Sequence, residues 1–136
     1  MKVILNKCFG GFRPSVFAYN EHARRNAKTL FWYTLNVHDY EFTENPRDFD
    51  TPSTIYYGKK VDLYDMDYKN VYNLDEGHRE DPVLIDIVEK YGEKASSFVS
   101  DLVVVEIPDE LAGRYTIDDY DGVETLHEKV KVWKVW

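Results

Sequence analysis

Asp81-Pro82-Val83-Leu84-Ile85-Asp86-Ile87-Val88-Glu89-Lys90-Tyr91-Gly92 is the stretch of this 136-residue chain from which the fold is read. Asp81 suits an N-cap, because its carboxylate can accept from the orphan N–H groups of a first helical turn. Pro82 suits the position after it, where a missing N–H costs nothing. Leu84, Ile87, Val88 and Tyr91 recur at i, i+3, i+4 and i+7, an apolar stripe of helical period, and Gly92 is a natural stop. The spacing predicts a helix over 82–91, with Glu93 to Ser97 able to prolong it.

Downstream the pattern changes. Leu102 to Ile107 is apolar except for Glu106, too short for most helices and closed by Pro108, which predicts an interior strand. Tyr115 and Ile117 continue the extended pattern, and Asp118-Asp119-Tyr120-Asp121-Gly122 has turn composition. Val130 to Trp136 alternates imperfectly between lysine and apolar side chains, and reads as an edge strand or as the end of a short helix begun at Glu124.

Upstream, the β-branched start of Met1 to Phe9 predicts a strand stopped by Gly10-Gly11. Ser15 can cap a helix over about 16–27, with Val16, Tyr19, Ala23 and Ala27 on one face and Glu21, Arg24, Arg25 and Lys28 elsewhere. Thr29 to Val37 is aromatic and β-branched, the composition of a half-buried strand. The middle, about 38–80, is rich in loop signals. Glu44 to Ser53 reads as a loop. Thr54 to Tyr57 and Val61 to Tyr64 look like a hairpin around Gly58-Lys59-Lys60, and a further short strand is expected near Asn70 to Tyr72. Strands and helices alternate without a repeat or a βαβ fingerprint. The expected fold class is therefore α+β: a single domain over 1–136, with a mainly antiparallel sheet covered by one or two helices.

The chain is 43% hydrophobic and 15% aromatic, enough for one real core, and 11 Tyr, 7 Phe and 3 Trp leave rings to spare for a binding face. A formal net charge of -8 argues against broad nucleic-acid binding, which needs many phosphate-neutralising cations. It suits docking on a basic partner surface. One cysteine excludes an internal disulfide framework and fits a reducing cytoplasm. No apolar run reaches the roughly 18 residues of a membrane span, and the first residues lack a signal-peptide layout. The expected setting is the cell interior, without membrane association.

No constellation of residues defines a reaction. Cys8 beside Lys7 is a thiol next to a cation, but His22, His38, His78 and His127 are isolated in sequence, and no His-x-x-x-His or Cys-x-x-Cys pair exists. Asp62, Asp65 and Asp67, and Asp118, Asp119 and Asp121, carry oxygen ligands for a hard cation, but neither group has a calcium-loop pattern. No metal or cofactor is expected. The more specific candidate is the Gly10-Gly11 turn between a strand and a helix, which resembles half of a phosphate cradle. Asn6, Lys7, Gly10, Gly11, Arg13, Arg24 and Arg25 are the candidate ligand-binding residues, with Phe9, Phe12 and Trp32 available to stack on a base. For a protein partner, Tyr56, Tyr57, Tyr64 and Tyr68 are the candidate anchors.

Two further signatures frame the chain: the opener Asn6-Lys7-Cys8-Phe9-Gly10-Gly11-Phe12, and a downstream series of Arg79 to Ile85, Gly92 to Ala95, Val104 to Asp109 and Asp119 to Glu124. Together they resemble a group of small phage and prophage proteins that open with an NKC-aromatic-GGF run. The match covers nearly half the chain in order and spacing, and departs at Lys129 to Trp136, which replaces a shorter basic-aromatic tail. The resemblance implies an accessory protein made in the cytoplasm of an infected bacterial host. It would counter host defence without catalysis, by inhibiting an immune protein or by sequestering a nucleotide signal. A small nucleotide hydrolase, with His22 or His38 near Lys7 or Arg13, and a structural or virion-associated module are the alternatives. Exposed aromatic edge strands would also favour a homo-oligomer.

Overall fold

The computed structural model describes residues 1–35, 42–44, 54–63 and 70–129. In chain order these form β1 (Lys2–Asn6), α1 (Val16–Arg25), β2 (Phe31–Leu35), β3 (Phe42–Glu44), β4 (Thr54–Tyr57), α2 (Pro82–Tyr91), β5 (Leu102–Glu106), β6 (Tyr115–Tyr120) and β7 (Val123–Glu128). The class is α+β and all strand pairing is antiparallel, as expected. The strands fall into three small sheets: β1-β5, β3-β2-β4 and β6-β7.

Both helices begin where their sequences say. The Ser15 hydroxyl accepts from the Ala18 amide at 3.1 Å, and its own proton goes to the Lys94 carbonyl. Asp81 Oδ1 accepts from the amides of Val83 and Leu84, with Pro82 in the first turn. Leu84, Ile87 and Val88 are buried, and with Val16, Ala18, Tyr19 and Ala23 of α1 they build the core beneath Ile4, Leu74 and Leu102. Burying one such aliphatic side chain stabilises the fold by about 1.5–3 kcal/mol.

Three local expectations are corrected. β4 does not form a hairpin with 61–63. It pairs with β2 (Phe31↔Tyr57, Trp32↔Tyr56), and Tyr57 bridges to Val71. The reason is aromatic packing: Tyr56 stacks on Tyr19 of α1 with centroids 3.8 Å apart, and Tyr57 packs edge-on to Tyr33. Second, β5 is not an interior strand, since among the described residues it pairs only with β1. Third, extended structure continues through Asp118 to Tyr120, and only Asp121-Gly122 makes the turn. Both turn residues have positive φ, 51° and 94°, the two-residue connection that Asp-Gly favours. Glu124 lies in β7, so no helix begins there. The expected loop after Glu44 and the tail 130–136 lie outside the described residues.

Candidate functional site

The two signatures meet in space. Asn6, at the end of β1, is fully buried, yet its side chain is the hub of three turns. Its Nδ2 donates to the carbonyls of Cys8 (2.7 Å) and Gly122 (2.5 Å), and its Oδ1 accepts from the amides of Asp101 (2.8 Å) and Cys8 (3.4 Å). One amide side chain thus ties the turn after β1, the 97–101 turn before β5 and the β6-β7 hairpin tip. The glycines are there for close approach. A Cβ on Gly10 would lie 2.3 Å from the Val99 carbonyl oxygen, and one on Gly122 would lie 2.4 Å from the Gly11 nitrogen. The Gly10 amide, which a phosphate cradle would need, already donates to the Asp121 carbonyl at 3.1 Å.

Beneath the junction lies a charged support. Arg79 Nη1 and Nη2 reach Glu124 Oε1 and Oε2 at 3.1 and 3.0 Å, with both side chains almost fully buried. Arg79 also donates to the Ile4 carbonyl and lies over the Phe12 ring, while Glu124 accepts from the Asn6 amide. This bidentate pair fastens β7 to β1.

What the junction presents to solvent is aromatic and acidic. Phe9, Phe98 and Tyr120 are 65%, 72% and 76% exposed, and each immediately precedes a junction residue: Gly10, Val99 and Asp121. Asp101, Asp118, Asp119 and Asp121 are exposed around them, as is Lys7. Asp118 faces His127 across the hairpin at 3.0 Å, whereas Asp119 Oδ1 accepts from the Gly122 amide. Successive strand residues point to opposite faces, so these acids do not converge on one cation. Among the described residues no group of three His, Cys, Asp or Glu side chains could hold a metal.

The residues expected to hold an anion are therefore dispersed. Asn6 is consumed internally, and Gly10 and Gly11 are filled by the hairpin tip. The Arg13 carbonyl secures Ser97 and Ser100. Arg24 and Arg25 sit at the far end of α1, about 15 Å along a ten-residue helix from Ser15. There Arg24 pairs with Glu21, and Arg25 bridges Glu21 and Asp86. Hydrogen bonds from Arg24 and Arg25 lower the Glu21 carboxyl from its ordinary 4.5 to about 2. A carboxylate depressed by folding stabilises the fold above its unfolded value and loses that contribution as pH falls through the folded one. Glu21→Gln should accordingly flatten the pH dependence of stability between about pH 4.5 and pH 2, as read by urea unfolding at a series of pH values.

The protein-anchor expectation is also revised. Tyr56 and Tyr57 are 3% and 1% exposed, held in the core by Tyr19 and Tyr33, and so cannot anchor a partner. Tyr64 and Tyr68 lie outside the described residues, as does His38. His22 is not paired with Lys7 or Arg13. Its Nε2 is hydrogen-bonded to Asp81 Oδ2 at 2.7 Å and its Nδ1 to the Tyr72 hydroxyl. Burial opposes the Asp81 charge, but the His22 hydrogen bond and the Val83 and Leu84 amides outweigh it and hold this carboxyl below its usual value. Burial pushes the Tyr72 phenol up, which keeps it protonated. Both imidazole nitrogens are thus spent on joining α1, α2 and Tyr72. The relay borders an open cleft of about 410 Å³ shared with Lys28, Asn73 and His78.

No helix among the described residues is long and apolar enough to cross a membrane. A scan against family models matches none to this chain, and comparisons with curated proteins and with solved structures give no match either.

Proposed function

We propose that this chain is a phage-encoded accessory protein that acts in the cytoplasm of the infected bacterium. It counters host defence by binding, without catalysis, through the aromatic, acidic tip at the junction of its three turns. The observation that carries this reading is the exposure of Phe9, Phe98 and Tyr120 on turns fixed by a buried Asn6. Rigid aromatic side chains give large contact area at low entropy cost, and a pre-ordered backbone reduces what must be ordered on binding. The flanking aspartates and the net charge of -8 fit a basic target, such as the nucleic-acid-binding face of an immune enzyme.

The test is native mass spectrometry of the protein purified from defence-bearing bacteria, paired with Phe9→Ser, Phe98→Ser and Tyr120→Ser. The expected result is a stoichiometric host protein whose affinity for the triple variant falls by a factor of about 100 or more at unchanged melting temperature. Retention of the same partner and the same protection of phage by the triple variant would sink the reading. Sequestration of a nucleotide signal keeps one geometric basis, the His22–Lys28–His78 cleft over the Tyr72 ring. An intact nucleotide released by heat from wild type but not from Lys28→Glu would favour it over the tip.

A further inference from the structure

The two edges of the β1-β5 sheet are treated differently. In an antiparallel pair, residues alternate between those that bond across the pair and those whose N–H and C=O point away. The Lys7 amide donates to the Asp101 carbonyl and the Ile107 amide to the Met1 carbonyl, both at 2.8 Å. Counting in twos, Asp101, Val103, Val105 and Ile107 bond to β1, while Leu102, Val104 and Glu106 direct their backbone groups outward. On β1 the outward groups of Ile4 and the amide of Asn6 are closed: Ile4 exchanges hydrogen bonds with Arg79, and the Asn6 amide goes to Glu124. On β5, among the described residues, only the Leu102 amide is taken, by Ser96 Oγ at 2.8 Å. Among the described residues no strand lies along Val104 and Glu106.

A groove of about 420 Å³ runs between this open edge and the C-terminal half of α2. Its floor is apolar, with Val88, Leu102 and Val104, and it opens at Gly92, where an added Cβ would meet nothing within 4 Å. Its rim is acidic. Glu89 is engaged by Lys2 at 2.9 Å, and Glu93 and Asp101 are exposed. A free strand edge beside a helix, with a lined groove between them, is the geometry in which an extended peptide adds a strand.

We propose that this groove takes an extended, basic segment of a partner protein as a further strand on β5. The segment's backbone pairs with Val104 and Glu106, its apolar side chains enter the groove over Leu102 and Val104, and its Lys or Arg side chains meet Glu93 and Asp101 at the rim. A second copy of this chain is a poorer occupant, because its β5 edge, Leu102 to Glu106, offers no basic side chain to the acidic rim. The inference goes beyond the tip and does not rest on it.

Amide hydrogen exchange and ¹⁵N chemical shifts of the full chain test it. The probes are the blocked peptide Thr-Lys-Val-Arg-Val-Lys-Thr and its twin with Glu at each basic position. In the free chain the Val104 and Glu106 amides should exchange faster than those of Val103 and Val105. The basic peptide at about 1 mM should slow the first two at least tenfold, and the acidic twin should leave them unchanged. Val104→Pro removes an outward N–H without touching the bonds to β1, and should abolish this effect. Glu93→Lys with Asp101→Lys, which leaves the edge intact, should weaken peptide binding by a factor of about 10 or more. Slow exchange at Val104 and Glu106 already in the free chain, a concentration-dependent dimer protecting them, or no response to the basic peptide would each overturn the proposal.

Discussion

Replacing Arg79 by methionine should lower the free energy of unfolding by about 3–5 kcal/mol, the range seen when one partner of a buried ion pair is removed. The substitution keeps much of the apolar stem over Phe12 but leaves the Glu124 carboxylate buried with only the Asn6 amide to meet it. It also strips the Ile4 carbonyl of its donor. Urea unfolding monitored by tryptophan fluorescence measures the change. Adding Glu124→Gln to the variant should recover part of the loss, because the orphan charge is gone. A wild-type midpoint for Arg79→Met would mean that the pair is worth no more than a solvated surface bridge.

Asn6→Ala should cost about 3 kcal/mol, because it leaves the Cys8 and Gly122 carbonyls and the Asp101 amide without their partner inside the protein. Asn6→Asp, nearly the same in shape, should cost more. It replaces a donor by a second acceptor, facing two carbonyl oxygens in a site closed to water. Thermal unfolding ranks the two variants. Limited proteolysis between Phe9 and Phe12 reads the junction directly: both variants should be cut faster there than wild type, since the turn after β1 loses its tether to Gly122. An Asn6→Asp protein as stable as wild type would refute the hub.

The helices were legible because their signals are local. Asp81, Pro82 and Gly92 bound α2 within twelve residues, and Ser15 marks the start of α1. The position of β5 in its sheet was not legible, since an apolar run states that a strand is buried on its faces and not how many neighbours it has. The tyrosines misled for a related reason. Tyr56 and Tyr57 flank a glycine in a polar stretch, and the rings that bury them, Tyr19 and Tyr33, lie far upstream in sequence. The arginines of α1 looked close to Gly10-Gly11 along the chain, but one helix length separates them. Sequence reasoning missed the exposed Phe98 and Tyr120 as candidate site residues and valued Phe9 only for stacking on a base. A signal was available: Phe9 and Tyr120 each stand one residue before a glycine-bearing turn, and turn tips lie at the surface.

The placement of Asn6 sets the order in which the molecule can be assembled. Its partners Asp101 and Gly122 lie 95 and 116 residues further along the chain. β1 is therefore synthesised well before the residues that complete it. While the chain grows on the ribosome, Val3, Ile4 and Leu5 have no strand to cover them until Val103 to Val105 emerge, and no lock until Glu124 follows. α1 and the tyrosine cluster can form earlier, but the three-turn tip exists only once translation has passed Gly122. Contacts of such long range slow folding, because loop closure must precede the interactions that stabilise it. The tip of a protein built this way forms in one late step, and a chain stopped before Gly122 presents no tip at all.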